Sequence, residues 1–206
     1  MAWNPVEFSS MPMIAKFLKS AVLADDYPDQ KRPEVAITGR SNAGKSSFIN
    51  VLTKSKIAKV SQEPGKTRLL NFFDIGDFYR MVDTPGYGFA SRSGSEVLEW
   101  QKMLETYLST RENLVGLLLL MDIKREWSDD EDALLSFMNS IGRPTMVILT
   151  KADRLKAAEI QRRCQAIKKQ ANVQQVWAIS SQYNTGVREA EEYFFKNWIK
   201  PSKGKK

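Results

Sequence analysis

Residues 39–46 read Gly39-Arg40-Ser41-Asn42-Ala43-Gly44-Lys45-Ser46, a G-x-x-x-x-G-K-[ST] string. Each residue type at that spacing has a task in holding a polyphosphate. Gly39 and Gly44 let the backbone bend so that its N–H groups point inward, Lys45 bridges the terminal phosphates, and the Ser46 hydroxyl ligates Mg²⁺. A helix opening here adds positive potential from its N-terminus. Farther along, Asp83-Thr84-Pro85-Gly86 offers a carboxylate that can hold the same Mg²⁺ through water and a glycine N–H that can reach a terminal phosphate. In Thr150-Lys151-Ala152-Asp153, the last carboxylate can accept from guanine N1–H and the 2-amino group together. Adenine presents no such pair of donors. Lys151 can lie across the base plane, and Ser180-Ser181 can support the base. Between the first two strings, Gly65-Lys66-Thr67-Arg68 places Thr67 as a candidate second Mg²⁺ ligand, in a segment suited to ordering around a triphosphate. The phosphate-loop string is specific on its own, since it follows a strand and opens a helix; taken singly, the later strings read as ordinary turns or surface loops, and it is the order and spacing of the whole set that point to one site.

These residues need elements to position them. Val35–Thr38 is a short apolar run before the glycine loop, and Ser46–Thr53 is helical. Leu69–Ile75 and Phe78–Val82 are strand-like and separated by Gly76-Asp77, a hairpin turn. Leu114–Met121 reads as a strand buried on both faces. Ser128, with Glu131 three residues on, forms a capping box for a helix to about Ile141. Thr145–Leu149 and Val176–Ser180 are further strands, and Leu155–Ala171 and Val187–Ile199 further helices, the last stopped by Pro201. Met13–Leu23 fits a short amphipathic helix or an edge strand. The alternation predicts an α/β fold of three layers, with a mostly parallel six-stranded sheet, one antiparallel strand and helices on both faces. Residues 1–33 read as an extension joined to a domain over 34–200, and 201–206 as a basic flexible tail. The candidate residues all follow strand-like runs, where sheets of this kind bind ligands.

Composition narrows the chemistry. With no histidine and a single cysteine, Cys164, the 206-residue chain excludes histidine acid–base catalysis, an internal disulfide and thiolate-rich metal sites. A hard, oxygen-bound metal remains. The longest strongly apolar run, 114–121, is far too short to span a bilayer, and no secretory leader is legible at the N-terminus, so a cytoplasmic protein is expected. The net charge of +7 is uneven: residues 1–150 carry −1 and residues 151–206 carry +8. A basic final quarter suits a polyanion partner, and it equally suits a solvated surface.

The strings GRSNAGKSSFIN (39–50), PGKTRLLNFF (64–73), DTPGYGFA (83–90) and TKADRL (150–155) resemble the translation-factor-related, Era-like P-loop GTPases with a Ras-like G domain, and most closely the EngB (YihA/YsxC) family of bacterial GTP-binding proteins. The likeness spans residues 15 to 199. Two positions depart from the usual patterns: Thr84 where leucine is commoner, and Thr150 where GTPases at large use asparagine, although threonine is usual within this family. The resemblance implies binding of GTP and GDP with Mg²⁺. It extends the nucleotide contacts to Ser47 beside the phosphate loop, to Leu69 after Arg68, and to Ile179 before Ser180. It also implies assembly of the large ribosomal subunit, a link to normal cell division and septation, and rRNA as the partner of the basic quarter, with no membrane or DNA partner and a monomeric chain.

Lys45 and Thr67 are then the candidate catalytic groups. Ras-type proteins place a water-orienting glutamine where this chain has Tyr87, so slow turnover is expected. Related GTPases use an asparagine at the Asn42 position to ligate K⁺ beside the phosphates; the plainer reading is that Asn42 serves the turn. Competing functions are a nucleotide-stabilised RNA- or ribosome-binding module with negligible hydrolysis, a GTPase acting on tRNA or another RNA, and a metabolic P-loop kinase. The kinase lacks a visible acceptor or lid segment.

Overall fold

A computed structural model describes residues 14–58, 69–87 and 94–203. Its seven strands are β1 (Ala15–Ala21), β2 (Glu34–Gly39), β3 (Leu70–Ile75), β4 (Tyr79–Asp83), β5 (Leu114–Asp122), β6 (Thr145–Thr150) and β7 (Val176–Ala178). They form one sheet in the order β1-β3-β4-β2-β5-β6-β7. Only β3 runs against the rest, antiparallel to both β1 and β4, as the hairpin at Gly76-Asp77 requires. The count exceeds the predicted six because residues 15–21 form an edge strand, which also settles the choice left open for Met13–Leu23. Its alternation is blurred by a bulge between Phe17 and Lys19 and by exposed Phe17 and Leu18, which is why helix and strand read alike there.

The helices are α1 (Lys45–Leu52), α2 (Gly94–Thr110), α3 (Asp129–Ser140), α4 (Ala157–Ala171), α5 (Val187–Phe194) and α6 (Lys200–Lys203), the last two joined by a π-helical turn over Phe195–Ile199. Helices α1 and α5 cover one face of the sheet, burying Phe48, Ile49, Ala190 and Phe194 against Ile37, Leu118 and Ile148. Helices α2, α3 and α4 cover the other, with Tyr107, Met138 and Ile167 inside. Leu117–Leu120 in β5 is wholly buried, which is why that run is apolar without alternation.

Pro201 does not end the last helix. A proline ring collides with the carbonyl four residues back in a regular helix, and here the widened π turn precedes it, so helix continues to Lys203. Residues 201–203 of the predicted tail are therefore helical, and 204–206 lie outside the described residues. Strand β7 is shorter than predicted, which leaves Ile179–Ser181 to form a loop.

The segment before β2 is tied down by a buried ionic cluster. Glu34, fully buried, receives Arg111 at 2.5 and 3.0 Å, Arg80 at 3.2 Å and the Tyr107 hydroxyl at 3.1 Å. Arg80 also binds Asp74 and the Asp29 carbonyl, and Arg111 the Pro28 carbonyl. The 28–34 segment is thereby fixed beneath β2, β4 and the end of α2, and β2 enters the sheet in register.

Candidate nucleotide site

The phosphate loop leaves β2 at Gly39, the central position of the sheet. A Cβ on Gly39 would stand 2.1 Å from the Leu120 carbonyl oxygen, so only glycine lets the loop depart this close to β5. Asn42 follows at φ 60°, a left-handed conformation that asparagine tolerates, so the turn by itself accounts for its residue type. Lys45 opens α1 and donates to the Gly39 carbonyl at 3.2 Å. Burial lowers its pKa, and the Asp83 charge opposes the shift. Burial pushes Asp83 up to about 6, with Lys45 pulling it down. Among the described residues, the buried atoms Asp83 Oδ1, Thr84 Oγ1 and Thr38 Oγ1 have no hydrogen-bond partner. A desolvated carboxylate with a free oxygen, near the hydroxyl-bearing start of α1, is a donor set that suits a hard cation.

Tyr87 is more than a substitute for glutamine. Its carbonyl accepts from Ser41 N–H at 3.3 Å, and its backbone pairs with Arg40 in an isolated parallel bridge. Its hydroxyl donates to Glu131 Oε1 at 2.8 Å, while Glu131 Oε2 accepts from the Ser128 backbone N–H at 2.9 Å. The predicted capping box of α3 is present, and the same buried carboxylate anchors the segment after β4. Trp100 on α2 donates to the Pro85 carbonyl at 3.1 Å. These bonds lay Pro85-Gly86-Tyr87 along the phosphate loop, and a Cβ on Gly86 would be 3.1 Å from both Lys45 Nζ and Ser41 N. The sequence identified Glu131 only as a cap; no local signal marks a contact 44 residues back.

Thr150 joins the base-side loop to the phosphate loop. Its hydroxyl lies 2.9 Å from the Ala43 carbonyl and 3.2 Å from that of Met121, which gives a use for threonine at this position. Lys151 adopts φ 58°, and its ammonium sits 2.9 Å from Asp122 Oδ2, with Arg154 at 3.0 Å. Burial opposes ionisation of Asp122, but the hydrogen bonds and charges around it hold its carboxyl below the usual range. The sequence reading missed Asp122, whose signal is its place at the carboxyl end of β5. Ser180 donates to Asp153 Oδ1 at 2.5 Å, so the exposed Asp153 carboxylate is oriented from β7's end. The Ala152 N–H bonds the Ile179 carbonyl.

Arg40, Ser41, Asn42, Asp122, Lys124 and Lys151 line a single cavity of about 390 Å³ across these loops. The fold thus brings together Gly39, Arg40, Ser41, Asn42, Ala43, Gly44, Lys45, Ser46 and Ser47 with Asp83–Gly86, Thr150–Asp153 and Ile179–Ser181 at the carboxyl ends of the strands. Leu69 begins the run into β3 and is exposed. Gly65, Lys66, Thr67 and Arg68 lie outside the described residues.

Residues 34–151, more than half the chain, match the family described as 50S ribosome-binding GTPases. A probable GTP-binding protein EngB of Bdellovibrio bacteriovorus is 53% identical over 191 residues, covering 93% of this chain and 96% of that protein. The chain belongs to the EngB family of GTP-binding proteins. A crystal structure of a probable EngB matches at TM-score 0.67 and 21% identity, over 79% of this chain and 97% of that one. Era, solved with MgGDPNP and nucleotides 1506–1542 of 16S ribosomal RNA, matches at TM-score 0.65 and 23% identity, over 80% of this chain and 56% of its own. At that identity both likenesses speak to the fold. In this EngB-family chain the phosphate loop, Asp83–Tyr87 and the string 150–155 therefore sit on a P-loop GTPase scaffold, and among the described residues no helix is long and apolar enough to cross a membrane.

Proposed function

We propose that this EngB-family GTPase is a slow, guanine-specific switch acting in the cytoplasm on the large ribosomal subunit or its precursor, and through that step on normal cell division and septation. The observation that carries the nucleotide half is the convergence of the phosphate loop, Asp83 and the Asp153–Ser180 pair on one rim. In this reading the loop N–H groups from Gly39 to Ser47 and Lys45 hold the phosphates, and Asp153 reads guanine with Lys151 across the base. Ser46 and Thr67 would hold Mg²⁺, and Asp83 would reach it through a water. When bound there, Mg²⁺ would supply positive charge against that of the phosphates. Lys45 holds the same charge from the protein side. Tyr87 is committed to Glu131 and offers no amide to a water, which supports slow intrinsic turnover. Asn42 is the residue on which a K⁺ beside the phosphates would depend.

The ribosomal half rests on the family's description and on the basic final quarter of the chain. Arg162, Lys168 and Lys169 are exposed on α4 and available to rRNA. Arg163 is not among them: it binds the Ile123 and Arg125 carbonyls and tethers α4 to the loop after β5.

Single-turnover GTP hydrolysis, measured with and without large-subunit precursors and in Na⁺ against K⁺, tests both halves. Stimulation by precursors is the expected result. Hydrolysis that stays negligible in their presence would favour the second reading, a nucleotide-stabilised ribosome-binding module. Equal rates in both cations would remove the K⁺ role of Asn42.

A further inference from the structure

The nucleotide loops leave the carboxyl ends of the strands. At the other pole, where β6 and β7 begin, lies a separate cavity of about 240 Å³. Two aromatic residues of the last helical segment, Tyr193 and Trp198, line it together with Thr145, Asn172, Gln174 and Gln175. The aromatic wall is firmly placed. Trp198 packs directly over Gly116 of β5, where a Cβ would stand 2.6 Å from the indole ring, and its ring centroid lies 6.0 Å from that of Phe194. The Tyr193 ring lies 6.1 Å from Trp177. The Gln175 carbonyl is held by Val147 N–H, and Asn172 caps α4 in the left-handed conformation, so the amide side is anchored as well.

The chemistry of this lining is specific. The lining includes four amide residues, Asn139, Asn172, Gln174 and Gln175, and the hydroxyl-bearing Thr145, without an acidic residue. Amides donate and accept, so they match the mixed edge of a heteroaromatic ring. The Thr145 hydroxyl and the neighbouring Trp177 indole N–H are buried without hydrogen-bond partners among the described residues. The elements that supply this lining also carry exposed cations: Lys168 and Lys169 in the last turn of α4, just before Asn172, and Lys196 between Tyr193 and Trp198. A planar, uncharged, hydrogen-bonding ring joined to a polyanion meets all of these features at once. An acidic peptide would use the lysines but would leave the aromatic and amide walls without a matching group.

We propose that this cavity takes one unpaired base of single-stranded RNA, stacked against Tyr193 and Trp198 and held at its edge by the amides, with the flanking phosphates on Lys168, Lys169 and Lys196. The pocket rests on the cavity itself; the choice of RNA rests on the ribosomal reading above. It would give the protein a second contact far from the nucleotide rim.

The test is fluorescence anisotropy of the full-length, GDP-loaded protein with a short labelled oligouridylate or oligoadenylate at low salt. Saturable binding is expected, displaced by the unlabelled strand but not by a duplex of the same sequence or by equimolar mononucleotide. Tyr193→Leu should weaken it by about tenfold, the loss of one stacked base. Because that change touches the core edge, the second variant is Asn172→Gly with Gln174→Ala, which removes two exposed amides and keeps the left-handed cap. It should weaken binding severalfold, and neither variant should change affinity for a fluorescent GDP analogue. Equal binding of single strand and duplex, equal competition by mononucleotide, or wild-type affinity in both variants would overturn the proposal. Pelleting with large subunits, run beside it, separates the two readings. Subunit binding that survives with no oligonucleotide binding sinks the pocket alone, and the reverse outcome sinks the ribosomal assignment alone.

Discussion

Asp153 and Tyr87 show how single side chains are made to matter by what orients them. Asp153 is exposed, yet Ser180 fixes its carboxylate at the end of β7. If Asp153 reads guanine as proposed, Asp153→Asn sets a donor against guanine's own donors, a loss on the order of 1–3 kcal/mol. Displacement of a fluorescent nucleotide should show GTP weakened and xanthosine triphosphate gained, because the 2-oxo group of xanthine needs a donor. Unchanged GTP affinity would remove Asp153 from the base site. Tyr87→Phe deletes the hydroxyl that Glu131 accepts and leaves a buried carboxylate oxygen short of a donor. Unfolding in urea should show a loss of about 1–3 kcal/mol, whereas intrinsic single-turnover hydrolysis should change little, since the phenol orients no water.

At the scale of elements, Glu34 decides how β2 and the segment before it sit. Two arginines and a tyrosine converge on a carboxylate with no exposure. Glu34→Ala would leave Arg80 and Arg111 buried beside an empty place, and breaking such a pair from one side costs roughly 3–5 kcal/mol. Equilibrium denaturation would measure it, and a loss under 1 kcal/mol, the usual worth of an exposed pair, would show that the cluster is solvated. Much at this scale was legible in the sequence. The hairpin at Gly76-Asp77, the buried β5 and the capping box at Ser128 all follow from short-range patterns. Strand β1 was not decidable, because a bulge breaks its period of two. The helix past Pro201 was unreadable, because the π turn that precedes it, with Phe195 and Ile199 buried in the core, has no local sequence signal.

For the molecule as a whole, Glu191 couples folding to pH. It is buried on α5, accepts from Tyr79 at 2.8 Å and pairs with Arg188. Burial pushes its pKa up to about 7, against the pull of Arg188 and Tyr79. Between the ordinary carboxyl value and 7, the folded protein keeps a proton that the unfolded chain has released. Stability from this group is therefore full at low pH and falls as pH rises through 7, by an amount on the order of 3 kcal/mol. Urea unfolding from pH 5 to pH 8 should show the decline, and Glu191→Gln should flatten it; an unchanged slope would assign the decline elsewhere. The exposed cations of α4 belong to the proposed ribosomal contact. Reversing charge at Arg162 and Lys169 should weaken pelleting with large subunits and make its salt dependence shallower, because fewer counterions are released. Identical salt profiles would reduce that surface to a solubility feature.

By itself the sequence determined the alternating α/β order, the phosphate loop, the Asp83 and Asp153 strings and their place after strands. Each depends on residues within one turn or one strand, where steric and hydrogen-bonding rules act locally. The tertiary structure alone decided that Glu131 holds Tyr87, that Thr150 bonds the Ala43 carbonyl, that Asp122 fixes Lys151, and that Arg163 is a tether rather than a free cation. Those contacts join residues from 29 to 107 positions apart. Nothing in the local chemistry of such residues distinguishes a partner from a neighbour until the sheet order β2-β5-β6 places their strand ends side by side.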